Sequence, residues 1–164
     1  MAIIPIRRAG DPVLRERARR VRTVDTSIHK LIEDMWETMY DAPGVGLAAP
    51  QIGIPLRIVV IDTHEQPPIA LLNPEIVKRS GERPLEEGCL SVPGFRGEVN
   101  RSLKVLAKGL DPKTGREVRV RGDNDLLAQA LEHEIDHLNG ILYIDYLPGP
   151  EALQPLSDAA EVRV

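Results

Sequence analysis

The chain has 164 residues, yet only one cysteine, four histidines and no long apolar run. Each shortage excludes something. A lone thiol, Cys89, closes no internal disulfide, so the fold draws nothing from an oxidising compartment and the sulfur is left for packing, ligation or nucleophilic use. No segment approaches the ~18 apolar residues needed to span a bilayer. The opening MAIIPIRR lacks the basic region and long apolar core of a secretory signal, which points to a cytoplasmic protein. Repeats and low-complexity tracts are absent, and proline and glycine are spread as turn punctuation without pooling in a linker. A net charge of −4 with 28% charged residues gives no general electrostatic reason to expect nucleic acid or lipid as a partner. The exception is RRAGDPVLRERARRVR, residues 7 to 22, with seven arginines. Asp11 and Glu16 interrupt it and Gly10 with Pro12 break it, so it reads as solvated surface.

What is present suits one domain over residues 1–164, with a tail from about residue 148 that is extended or flexible. Ile28, Leu31, Ile32, Met35 and Met39 recur at helical spacing after a cap at Asp25, which predicts an N-terminal amphipathic helix over 26–40 with His29 off its apolar stripe. From Arg57 the runs RIVVID, IALLN, EIVK and LKVLAK are short and rich in branched aliphatics and read as strands. LKVLAK and REVRVR flank GLDPKTG, the signature of an antiparallel hairpin with a long loop. A second helix begins at a cap near Asp123 or Asn124 and stops at Asn139-Gly140. Its pattern of apolar and functional positions places it against the sheet.

That helix carries HEIDH. Histidines four apart, His133 and His137, project side by side toward one ion, while Glu134 is rotated by about 100° and reaches a water instead. This suits hydrolysis of an amide, in which the ion acidifies water and polarises the carbonyl and the carboxylate relays the proton to the leaving nitrogen. Two histidines hold a metal poorly, so a third ligand is needed. In the pattern HExxHxxGxxH it lies six residues beyond the second histidine, where this chain has Tyr143. A downstream glutamate is a weak option, since only Glu151 and Glu161 follow, in a proline-interrupted tail. The remaining soft ligand is Cys89 in EEGCLSVPG, whose glycines and proline suggest an exposed backbone turn.

GVGLAAPQIG at 44–53, EGCLSVP at 87–93 and HEIDH at 133–137 together resemble the three signature motifs of the bacterial peptide deformylases, and the resemblance runs from GDPVLR at 10–15 to LYIDYL at 142–147. It implies an α+β fold with antiparallel β-sheets around a central helix that carries the HExxH motif. It also implies an enzyme that removes the formyl group from the N-terminal formyl-methionine of new polypeptides and releases formate. By matching positions the metal ligands are Cys89, His133 and His137, the general base and acid is Glu134, and the oxyanion donors are Gln51 and the N–H of Leu90. Gly44, Val45 and Gly46, with Gly88 in the Cys89 loop, bind the substrate main chain as an added strand. Leu85, Leu126, Gln129, Ala130 and His133 line the methionine pocket, where Gln129 departs from a commonly apolar position. Glu87 and Arg96 pair to brace the Cys89 loop. The implied cofactor is one divalent ion, Fe(II) in the cell, with Zn(II), Ni(II) or Co(II) in purified protein. The implied partners are nascent formyl-methionyl chains met by a monomer in transient proximity to the ribosome. The tail after Leu147 is acidic where some relatives carry a basic ribosome-docking helix, so attachment by that route is not expected. The same metal site would also serve a metalloprotease or another amidase, or an inactive module that holds nascent N-termini.

Overall fold

The computed structural model describes residues 2–156. The part of the tail from 157 onward, including Glu161, lies outside the described residues. A five-stranded antiparallel sheet has the order β1-β2-β3-β6-β7, where β1 is Gly46–Ala48, β2 Ile58–Ile61, β3 Ile69–Ser80, β6 Lys104–Leu110 and β7 Glu117–Asp123. A second sheet joins β4 (Arg83–Cys89), β5 (Val92–Arg101) and β8 (Gln154–Pro155). Helix α1 spans Thr26–Asp41 and α2 spans Leu126–Leu138.

The large sheet is covered on both faces, and β2 shows why its sequence is IVVI with no polar alternation. Val59 and Ile61 belong to the core with α2 residues Leu127, Ala130, Leu131 and Leu138, whereas Ile58 and Val60 belong to the core with α1 residues Ile28, Ile32, Met35 and Met39. Successive side chains of a strand point to opposite faces, so a strand covered twice is apolar throughout. Each of the valine, leucine, isoleucine and methionine side chains among these, removed from water, contributes about 1.5–3 kcal/mol.

Three features differ from the sequence reading. IALLN and EIVK are one strand, β3, which continues through Asn73-Pro74 by shifting register between Leu72 and Glu75. Asn73 adopts φ 51° there, and its side chain accepts from the N–H of Val21 and donates to the carbonyl of Val21, which replaces the ladder bonds that the bulge gives up. The cap of α2 is Asp125, whose carboxylate accepts from the N–H of Ala128, because Asp123 still belongs to β7 and Asn124 turns through φ 50°. Cys89 is buried as the last residue of β4 and pairs with Val92, so the EEGCLSVPG turn folds inward. The helix stop is as read: Gly140 sits at φ 76°, and a side chain there would meet the backbone of Arg15.

Candidate metal centre

The ligand atoms of Cys89, His133 and His137 lie within 4.8 Å of one another, and all three residues are buried. His137 Nε2 is 3.3 Å from Cys89 Sγ and 3.1 Å from His133 Nε2. The helix supplies the two imidazoles from successive turns, and the end of β4 supplies the sulfur. His133 Nδ1 lies 2.6 Å from Glu87 Oε2, so this nitrogen keeps the proton and Nε2 turns its lone pair toward Cys89 and His137. Two imidazole nitrogens and a sulfur facing one point fit a divalent cation, which supplies the positive charge that such a donor set otherwise lacks.

Glu87 organises the back of the site. Arg101 Nε and Nη2 donate to its two oxygens at 2.9 and 2.5 Å, and Gln129 Nε2 donates to Oε1 at 3.2 Å. Burial raises the Glu87 carboxyl, but the His133 charge and hydrogen bond, with Arg101, outweigh it and hold it at about 2. In the metal-free chain burial lowers His133, and Glu87, followed by Cys89 and Glu134, more than reverses this, so the ring holds its second proton well above the ordinary histidine value until an ion takes the place of that proton on Nε2. His137 falls well below that value, through burial first and then the charge on His133.

Glu134 differs from the other carboxylates here. It is fully buried and neither carboxylate oxygen has a hydrogen-bond partner among the described residues. Burial, opposed by the charge on His133, pushes its pKa up to about 7. Its carboxylate packs onto Gly46, where any side chain would collide with Oε2, so β1 must carry glycine at this point.

Of the other candidates, Gln51 is buried in a short 3₁₀ turn, Ala49–Ile52. Its Oε1 accepts from Ala48 N–H and its Nε2 reaches Ser91 Oγ at 3.1 Å and Cys89 Sγ at 3.6 Å. Leu90 follows Cys89 and is partly exposed, and Gly88 is buried beside it. Gly44 lies against the Leu90 side chain, and the carbonyl of Val45 accepts from Asp62 N–H. Leu85 and Leu126 are partly exposed, Ala130 is buried, and Gln129 is buried with its amide tied to the Glu86 carbonyl and to Glu87. The expected Glu87–Arg96 pair is not formed. Arg96 bonds Glu86 at 2.9 Å, because alternation along β4 turns Glu86 outward and Glu87 inward. The partner of Glu87 is Arg101, which the sequence reading missed together with Ser91. The available signal was that a carboxylate beside a metal loop needs a buried cation, and β5 brings an arginine back across β4.

A family model described as polypeptide deformylase matches residues 3–152. The chain is 54% identical over 146 residues to the peptide deformylase of Halothermothrix orenii, covering 88% of this chain and 94% of that protein. It is 49% identical over 165 residues to the peptide deformylase of Dehalococcoides mccartyi, covering 99% of this chain and 96% of the other. Among solved structures, the peptide deformylase of Legionella pneumophila superposes with a TM-score of 0.87 at 50% identity, over 92% of this chain and 89% of that one. With the Cys/His/His cluster buried beside an unpaired glutamate and the match extending over nearly all the sequence, the chain belongs to the polypeptide deformylases, metal-dependent hydrolases that take the formyl group from the N-terminus of newly made polypeptides.

Proposed function

We propose that Cys89, His133 and His137 hold one divalent ion, that Glu134 moves the proton, and that Gln51 with the N–H of Leu90 stabilises charge on the formyl oxygen. When bound, the ion supplies a Lewis acid that acidifies water and polarises the formyl carbonyl. The protein's own groups do the rest. The observation that carries this reading is the unpaired carboxylate of Glu134 beside three convergent donors. An unanswered buried acid costs stability, and a group with a pKa of about 7 takes and returns a proton near neutrality. Glu134 therefore accepts a proton from water and delivers it to the methionine nitrogen as the C–N bond breaks, leaving formate and a free amine.

Leu90 N–H has no acceptor among the hydrogen bonds of the described residues, which leaves it open to the developing oxyanion. Gln51 holds Ser91 and the Cys89 sulfur, so it shares or transfers one amide hydrogen to serve as the second donor. Gly44, Val45 and Gly46 adjoin the free edge of β1, an end strand of its sheet, and an extended substrate adds there opposite Gly88 to Leu90. Leu85, Leu126, Gln129, Ala130 and His133 surround the methionine side chain. Glu87, with Arg101 behind it, fixes the ring of His133, while Arg96 contacts substrate only at the rim.

Fe(II) is our choice for the ion in the cell. It ranks below zinc in intrinsic affinity, so Zn(II), Ni(II) or Co(II) can replace it during purification. The chain acts as one catalytic domain and a monomer in the cytoplasm, on formyl-methionyl chains close to the ribosome. No helix of the described residues is long and apolar enough to cross a membrane. The test is formate release from a formyl-methionyl tripeptide beside its acetylated twin, by protein stripped and reloaded under nitrogen with Fe(II) or Zn(II). Selective deformylation, faster with Fe(II) and lost in air, is expected. Equal rates on the acetyl peptide would make it a general amidase, and equal rates with both ions would remove the iron assignment.

A further inference from the structure

The large sheet has α2 on one face and α1 on the other, and β1 is an end strand of it. A peptide added at that edge therefore has two sides. On the reading of the site proposed above, on which this inference rests, the substrate runs extended along β1 opposite Gly88 to Leu90 with its methionine side chain on the α2 face. Successive side chains of an extended chain point to opposite faces, so the side chain that follows methionine leaves toward the α1 face.

A cleft of about 240 Å³ lies there, lined by Ile6, Ala42, Leu90, Pro93, Phe95 and Leu156, with the Gly88–Cys89 backbone at its inner end. Ala42 caps the end of α1, and no residue of α2 and no charged side chain lines the cleft. Its walls come from separate parts of the chain. The N–H of Ala9 donates to the Ser91 carbonyl at 2.8 Å and that of Arg7 to the Gln51 carbonyl at 2.6 Å, which holds the segment of Ile6 against the metal loop. The tail is fastened in the same way: β8 sets Pro155 opposite Phe95, and the N–H of Leu156 donates to the Gly94 carbonyl at 2.9 Å. Leu90 joins the two parts of the site, since its N–H is the open donor beside Cys89 while its side chain lies against Gly44 and lines the cleft.

We infer that this cleft takes the side chain of the substrate's second residue and selects large apolar side chains there over small or charged ones, with Phe95 and Leu156 as the residues that set the preference. Phe95 is the chain's one phenylalanine and stays 42% exposed. An apolar surface left open beside the metal loop gains free energy when it is covered, and continuity with Leu90 puts the substrate in place to cover it. A charged side chain in the same cleft would lose water and meet no partner. Because the cleft is open, the discrimination is modest, about tenfold, the low end of what an apolar pocket supplies.

The test is formate release by the intact, metal-loaded chain from formyl-methionyl-X-serine peptides in which X is leucine, phenylalanine, alanine, glutamate or lysine. Leucine and phenylalanine are expected to exceed alanine about tenfold in kcat/KM, through KM and not kcat, with glutamate and lysine no better than alanine. Phe95→Ser and, separately, Leu156→Ser should each cut the leucine-to-alanine ratio to about threefold or less. Phe95→Leu, which keeps the cleft apolar, should hold the ratio, and this separates selection from support of the fold. Metal content and the thermal midpoint are read on the same samples. A parent ratio near one, or serine variants that keep the parent ratio, would overturn the inference and leave the metal centre as assigned. A parent that sediments as a dimer, dissociated by Phe95→Ser, would give the cleft to a second copy of the chain and overturn it too. No formate from any peptide would overturn the assignment of the metal centre itself, and this inference with it.

Discussion

Helices α1 and α2 cover opposite faces of one sheet, but they are made differently. On α1 the buried positions are Ile28, Ile32, Met35 and Met39 with Asp34 and Thr38, and the two polar ones accept from the backbone N–H groups of Ala2 and Ile4. His29, Lys30 and Glu33 face solvent. On α2 nearly every residue from Leu127 to Leu138 is buried, including Gln129, Glu132, His133, Glu134 and His137. Glu132 is answered by Ser102, Gln129 by Glu86 and Glu87, His133 by Glu87, and His137 by Cys89 and His133. Only Glu134 is not. A helix whose sole task was packing would be built like α1, with few buried polar groups, since each one costs free energy unless a partner answers it. The difference separates stability from chemistry, so changes on α1 should move the first and changes around α2 the second.

The largest effect expected is that of Glu134→Gln. Loss of a proton carrier should lower kcat by about 10²–10⁴-fold. Metal content should stay at one ion per chain, and the thermal midpoint should hold or rise, because an amide replaces an acid that has no partner. Formate-release kinetics with metal analysis of the same sample checks both. A variant that purifies without metal would make Glu134 a ligand, and α2 would then lose the one residue that distinguishes it.

Arg101→Met comes next. It removes the buried cation from Glu87 and, judged by other broken buried pairs, costs about 3–5 kcal/mol. It should also loosen metal by about 10–100-fold, as loss of an outer partner of a ligating histidine does. Adding Glu87→Gln should recover part of the stability measured in urea but not the metal retention measured by chelator competition. Recovery of both would reduce Glu87 to a packing residue.

That pair also marks where the sequence stops being legible. His133, Glu134 and His137 can be read directly, because helical periodicity makes i and i+4 neighbours, and Cys89 emerges because no other soft ligand remains. Arg101 depends on the register that sets β5 against β4 and on the inward turn of Glu87, neither of which local spacing encodes. Arg96, nearer in sequence, was the natural partner to choose, yet it lies on the outer face with Glu86. Likewise Asn73-Pro74 looks like a strand end until the Asn73 side chain is seen to bind Val21, a contact 52 residues away. Apolar periodicity located α1 from Thr26 to its last turn because Ile28, Ile32, Met35 and Met39 recur at helical spacing, whereas the burial of Asp34 and Thr38 rests on Ala2 and Ile4 and was not legible.

A change confined to α1 tests the other half of the comparison. Met35→Ala removes a fully buried side chain from the core that α1 shares with Leu47, Ile58 and Leu72. The cavity should cost about 2–5 kcal/mol in urea unfolding. At a temperature where the variant is folded, kcat and metal content should equal those of the parent. A fall in kcat without unfolding would mean that the two faces of the sheet are coupled.

The smallest effect should come from the cap of α1. The Asp25 carboxylate accepts from Ser27 Oγ and from the N–H groups of Ser27 and Ile28, and these bonds, the Ser27 hydroxyl foremost, hold its pKa below the ordinary 3.8. Because the folded form binds the proton less readily than the unfolded one, the contribution is complete above the unfolded value and fades as pH falls through the lower folded value. Asp25→Ala should therefore lower the thermal midpoint slightly at neutral pH, and the gap to the parent should narrow in acid. The site is fully exposed, so salt should shrink the gap as well. Activity should not change at any pH, since no atom of Asp25 meets the face of the sheet on which α2 lies. A gap that persisted undiminished in acid would show that the cap acts through Ser27 packing instead of through the carboxylate charge.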